Sequence, residues 1–96
     1  MHACVVEFEL HIPLARSLKA KRAVLRPIVE GGRRRFAVAA AEVGKQGSWQ
    51  ASQVAFAAVA GEPGHVRDVL DAVERFVWSF PEVEVVSTCR HWLGDE

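Results

Sequence analysis

The chain has 96 residues, half of them hydrophobic, with twelve Lys and Arg balanced by twelve Asp and Glu. That length suits one domain spanning 1–96 and leaves no room for a second. Its apolar runs are too short to cross a bilayer, no basic segment with a following apolar stretch marks a signal peptide, and two cysteines are too few for a disulfide framework or a zinc site. The expectation is a cytoplasmic protein with no membrane partner, in which Cys4 and Cys89 are reduced and buried.

Neutrality hides a dipolar chain. Residues 1–48 carry nine Lys and Arg against four Asp and Glu, whereas residues 49–96 carry three against eight. The segment from Arg16 to Arg35 alone holds eight cations and a single acid, Glu30.

Taken in chain order, residues 3–12 alternate. Cys4, Val6, Phe8, Leu10 and Ile12 share one face, and Val5, Glu7, Glu9 and His11 the other, which predicts a strand with one buried side. Pro13 ends it. Ser17 is a suitable N-cap for a helix, and Leu18, Val24, Leu25, Ile28 and Val29 recur at helical spacing. Lys19, Arg22, Arg26 and Arg33 fall on the opposite side within a narrow arc. Lys21 falls inside the apolar stripe, between Leu18 and Leu25. Either its stem packs on the core with its amine reaching solvent, or it holds an anion beside the first strand or the Trp49 loop. Pro27 removes one helical donor, so a kink is expected near it. Gly31 and Gly32 are expected to end the helix, leaving Arg33, Arg34 and Arg35 in the connector.

Residues 36–43 and 52–60 read as the second and third strands, with a glycine-containing loop between them. GEPG at 61–64 breaks the chain. Val66, Val69, Leu70, Val73, Val77 and Phe80 then follow the 3, 4, 7 spacing of a second amphipathic helix. Asp68 is placed in its first turn, Asp71 and Arg75 as an i, i+4 pair, and Pro81 as its stop. Residues 82–90 give a fourth strand, with Val83, Val85 and Cys89 on one side. The order β-α-β-β-α-β, with two helices of one apolar stripe each, predicts an α+β, ferredoxin-like fold. Its four-stranded antiparallel sheet has the order 4-1-3-2, with both helices on one face and the other face open.

Two motifs, Ser17-Leu18-Lys19-x-Lys21-Arg22 and Glu42-Val43-Gly44-x-Gln46-x-x-Trp49-Gln50, in this order and spacing resemble the YlxP-like family of small bacterial proteins. The resemblance covers nearly the whole chain and implies the same ferredoxin-like fold. It supplies no established activity. Genes of that family often neighbour translation initiation factor two and ribosome-binding factor A, which implies work near ribosome maturation or translation. Ala20 stands where the family usually has Glu, so a reciprocal capping box with Ser17 is lost.

No catalytic residue, metal site or cofactor is expected. Acylphosphatases of this size use an Asn to position water, and this chain has no asparagine. Heavy-metal chaperones of this fold need Cys-x-x-Cys, which is missing. His2, His11, His65 and His91 lack ligand spacing, and Ser48, Ser52 and Ser79 have no nucleophile context. Cys4 and Cys89 are placed facing each other across the first and fourth strands, as a structural pair rather than a redox one. The sheet face offers Glu7 and Glu9 and no aromatic platform, which argues against base stacking there.

Two functional readings stand. In the leading one, Lys19, Lys21, Arg22, Arg26, Arg33, Arg34 and Arg35 contact the phosphates of structured RNA or a ribosomal particle. The bland counterpart is a solvated face partly paired with Asp68, Asp71 and Glu74. In the alternative, an open alanine-rich sheet face carrying Ala39 and Ala57, with Trp78 as a further hot spot, makes a homodimer or docks a partner. Trp49 is expected to anchor its loop on the core. Trp92 is expected to pack at or close the sheet edge.

Overall fold

In the computed structural model, which describes residues 1–94, the chain forms β1 (His2–His11), α1 (Leu18–Phe36), β2 (Ala39–Gly44), β3 (Ala51–Ala60), α2 (Pro63–Trp78) and β4 (Glu84–Leu93). The strands lie in the order β2-β3-β1-β4, the expected arrangement read from the other edge, and every neighbouring pair is antiparallel. Alternation in β1 does what the pattern demands. Cys4, Val6, Phe8 and Leu10 are buried under the helices with Val54, Phe56, Leu25, Ile28, Val66, Leu70, Val73 and Val77. Phe8 and Phe56 meet edge to face at 5.8 Å between ring centres, so Phe56 points into the core and is not available on the open face.

The first helix corrects the reading of the glycines. It runs without a break through Pro27, Gly31 and Gly32 to Phe36. A Cβ on Gly32 would sit 2.5 Å from the Phe56 ring, and one on Gly31 would sit 2.8 Å from Phe76. These positions are therefore bare so that the helix can lie close to β3 and α2. The helical penalty of each glycine, about 1 kcal/mol, is offset by that approach. Ser17 Oγ accepts from Ala20 N at 3.0 Å, which is the Ser half of a capping box. The helix stops at Ala37, which is left-handed at φ 54°. Arg33, Arg34 and Arg35 thus form the last helical turn, not a connector, and β2 begins later than expected.

The fourth strand holds a second correction. Leu10 pairs with Val85 but Glu9 pairs with Ser87, so Val86 is an extra residue in β4. This bulge reverses the alternation beyond it. Val85, Thr88, Arg90 and Trp92 face the helices, and Cys89 faces outward beside Glu7. Cys4 is buried opposite Trp92, so the two thiols lie on opposite sheet faces and cannot pair. Burial pushes the Cys4 thiol above its ordinary value, against the pull of the Arg90 charge.

No described helix is long and apolar enough to cross a membrane. In α2, Asp68 lies past the first turn, and Asp71 reaches Arg90 of β4 at 2.7 Å instead of pairing with Arg75. Glu74 joins the same guanidinium at 2.5 Å.

Candidate polyanion-binding surface

Helical periodicity places Lys19, Arg22, Arg26, Arg33 and Arg34 along the solvent side of α1, over about 21 Å of axis from Lys19 to Arg33. All five are exposed. Among the described residues, none of them forms a salt bridge. Of the three α2 acids that were the expected neutralising partners, Asp68 is exposed and forms no salt bridge among the described residues, and Asp71 and Glu74 are held instead by Arg90 of β4. Hydrogen bonds to Glu74 and Asp71 outweigh the burial of that guanidinium and raise its pKa.

The helix itself supplies little compensation. Its C-terminal dipole is equivalent to roughly half a negative charge, against three consecutive arginines in the last turn. Glu30 is exposed within the stripe and makes no close ion pair among the described residues.

The seven basic residues named from sequence separate into three groups. Arg33 donates from Nη2 to the Ala40 carbonyl at 2.6 Å, which braces it against β2. It rims a depression of about 250 Å³ between α1 and β2, with Arg22, Arg26 and Glu30 at the sides and Leu25 and Val29 among its lining. Arg34 lines the next depression, with Arg26 and Glu30. Arg35 leaves the stripe. A 100° step per residue turns it towards α2, where its guanidinium lies 5.5 Å from the Phe76 ring centre and 5.9 Å from that of Phe36.

Lys21 is the plainest correction to the proposed contacts. Only 1% of it is accessible, so it cannot touch a phosphate. Its amine lies 2.9 Å from Glu42 Oε2 and donates to the carbonyls of Lys45 at 2.9 Å, Gln46 at 3.3 Å and Ala51 at 3.0 Å. Ser52 Oγ donates to the same Glu42 oxygen at 2.7 Å. Gln50 completes the arrangement, donating to the Pro13 and Ala15 carbonyls at 3.2 and 3.0 Å, while Ile12 N donates to Gln50 O at 2.9 Å. The anion Lys21 holds is thus the protein's own, and the two sequence motifs meet in a polar frame that fixes the loop 45–50.

That frame leaves Trp49 outside. It is 54% exposed and anchors nothing; Lys21 and Gln50 do that work. The sequence signal for this was Lys21 within an apolar stripe, which marks a buried amine needing acceptors.

The open sheet face carries Ala39, Ala41, Ala55, Ala57 and Val59 beside Ala3 and Val5, while Ala37 is the helix cap. Its other end is polar, with an ion pair of Glu9 and Lys45 at 2.5 Å and a contact of His11 Nδ1 with Glu84 at 2.8 Å. Trp78 is 62% exposed at the end of α2, in the opposite layer, so it cannot share a surface with Ala39 and Ala57. Trp92 is half-buried against the core, with the Arg67 guanidinium 6.0 Å from its ring centre.

Topology, helix pairing and an unneutralised helical face define a small α+β protein of the ferredoxin-like class with one basic layer. The family described as "Protein of unknown function (DUF503)" matches residues 3–90. The chain is 38% identical over 87 residues to "Uncharacterized protein YlxP" of Bacillus subtilis (strain 168), covering 91% of this chain and 95% of that one. It is similar in fold alone to the de novo designed protein Foldit4, at TM-score 0.57 and 10% identity over 98% of this chain and 99% of the other. A second designed protein, described as having a ferredoxin fold, gives TM-score 0.48 at 9% identity over 99% of this chain and 88% of that one. The chain belongs to the DUF503 family, as its two motifs indicated.

Proposed function

We propose that this protein is a non-enzymatic accessory factor that binds structured RNA, free or within a ribosomal particle, along the exposed side of α1. The observation that carries this reading is the row Lys19, Arg22, Arg26, Arg33 and Arg34, exposed and free of salt bridges among the described residues. A row of unpaired cations repels itself, and a polyanion relieves that repulsion while releasing its own counterions. The contacts go to phosphates, so sequence preference is weak. Lys21 and Arg35 take no part. Binding of a structured RNA by the wild type and by a variant with Arg22, Arg26, Arg33 and Arg34 all changed to Ala is the test. The variant should lose most of its affinity while keeping its far-UV spectrum. Equal affinity would end the proposal.

A second reading rests on a different observation. On the open face Val59, Ala3 and Leu93 form one apolar row across three strands, with both outer residues 68% exposed. Stacking two such faces gives an isologous dimer. Solution mass of the wild type against Ala57→Glu decides it: a dimer that becomes a monomer supports the stack, and a wild-type monomer removes it.

A further inference from the structure

We infer that Trp49 is a base-stacking platform, and that the RNA this protein takes carries an unpaired nucleotide next to a paired segment. This rests on the phosphate-binding reading of α1.

An indole on a mobile loop would make a poor recognition element, because ordering it on binding offsets what it gains. Trp49 is not so placed. The residues on either side of its loop are tied to the first turns of α1 through Lys21, and its neighbour Gln50 is tied to the segment between β1 and α1. The protein thus spends a buried ammonium, a carboxylate and a glutamine on fixing a loop whose aromatic residue touches solvent. Leu14 lies between the two residues whose carbonyls Gln50 holds, and is 83% exposed. Two large apolar side chains are therefore presented at the same end of the molecule.

Charge selects the partner. No acid occurs from Ile12 to Val29 or from Val43 to Gly61, the stretches that build this end. Of the acids at its base, Glu42 is held by Lys21, Glu9 by Lys45, and Glu84, which is exposed, lies against His11. Arg16, Lys19 and Arg22 are exposed in the segment to which the loop is tied. An exposed aromatic beside cations that continue into a basic row matches the requirements of a strand leaving a duplex, with phosphates on the helix and the first unpaired base on the indole. The sheet face, where this fold often stacks bases, has Glu7 and Glu9 on its central strand and, among the described residues, no Phe, Tyr or Trp. The loop tip supplies what that face lacks.

Fluorescence anisotropy with two labelled RNAs of equal phosphate number tests this, one a fully paired hairpin and the other a shorter stem with an unpaired tail. Trp49→Ala should weaken binding of the tailed RNA by about 5- to 140-fold, the range for one lost stack, and leave the paired hairpin unaffected. Trp49→Phe should keep the preference for the tail. The quadruple arginine variant should weaken both RNAs. If Trp49→Ala binds the tailed RNA like the wild type, or weakens both RNAs equally, while the arginine variant loses both, stacking is overturned and the phosphate reading stands. If the wild type binds neither RNA, both fall together.

Discussion

Lys21→Met keeps the aliphatic stem and removes the amine. It takes one donor from each of four acceptors, Glu42 Oε2 and the carbonyls of Lys45, Gln46 and Ala51, although Glu42 Oε2 keeps Ser52 Oγ and the Lys45 carbonyl keeps Ser48 N. Breaking a buried ion pair by deleting one member costs about 3–5 kcal/mol, chiefly from the charge left behind. Lys45 and Gln46 are exposed residues and Glu42 is partly so, which lets water reach part of what is vacated. The low end, about 3 kcal/mol, is therefore expected. For a chain of this size each kcal/mol moves Tm by roughly 4–8 °C, so the midpoint should fall by roughly 12–24 °C. Urea and thermal unfolding followed by far-UV circular dichroism measure it. Adding Glu42→Gln removes the stranded charge, so the double variant should be more stable than the sum of the singles implies, with a coupling of about 1–3 kcal/mol. A loss below about 1 kcal/mol for Lys21→Met, or strict additivity, would refute the view that this amine holds the loop frame.

Three further outcomes follow from the coordinates. Gly32→Ala should destabilise by about 1–2 kcal/mol in urea titrations despite alanine's better helix propensity, because the added methyl meets the fully buried Phe56 ring at 2.5 Å. Ala37→Gly should raise stability by about 0.5–1 kcal/mol, since Ala37 holds φ 54° at the end of α1, where glycine carries no Cβ penalty. The hydrogen bond and charge of Lys45 hold the Glu9 carboxyl below its ordinary value of 4.5. A depressed folded-state value gives stability that is present above pH 4.5 and lost as the pH falls through the folded value. Lys45→Met should therefore lower stability slightly in the neutral region, leave it unchanged below the folded value, and so flatten the acid limb of the stability profile between them.

Periodicity carried most of the fold. Alternation in β1 and the 3, 4, 7 spacing of α2 are one-dimensional records of burial, and they placed the core residues correctly. What escaped was information held between elements. Gly31 and Gly32 look like a helix stop until Phe76 and Phe56 are seen against them. The Val86 bulge is silent in sequence because valine suits either face, yet it turns Cys89 away from Cys4.

The candidate site was half legible. Lys19, Arg22 and Arg26 share an arc by arithmetic, and Arg33 joins them because the helix continues. Lys21, expected among the contacts, is buried, and Trp49, expected to anchor its loop, is exposed, since burial of an amine depends on carbonyls supplied 24 to 30 residues away. The fates of Asp71 and Glu74 depended on Arg90, which no local pattern joins to α2.

The central claim is that the basic side of α1 meets phosphates. Its most direct measurement is the association constant of the wild-type protein for a structured RNA over a range of salt concentrations. Neutralising four or five phosphates of a duplex should give a log–log slope of roughly −4. A slope near zero, or no binding at low salt, would contradict the claim.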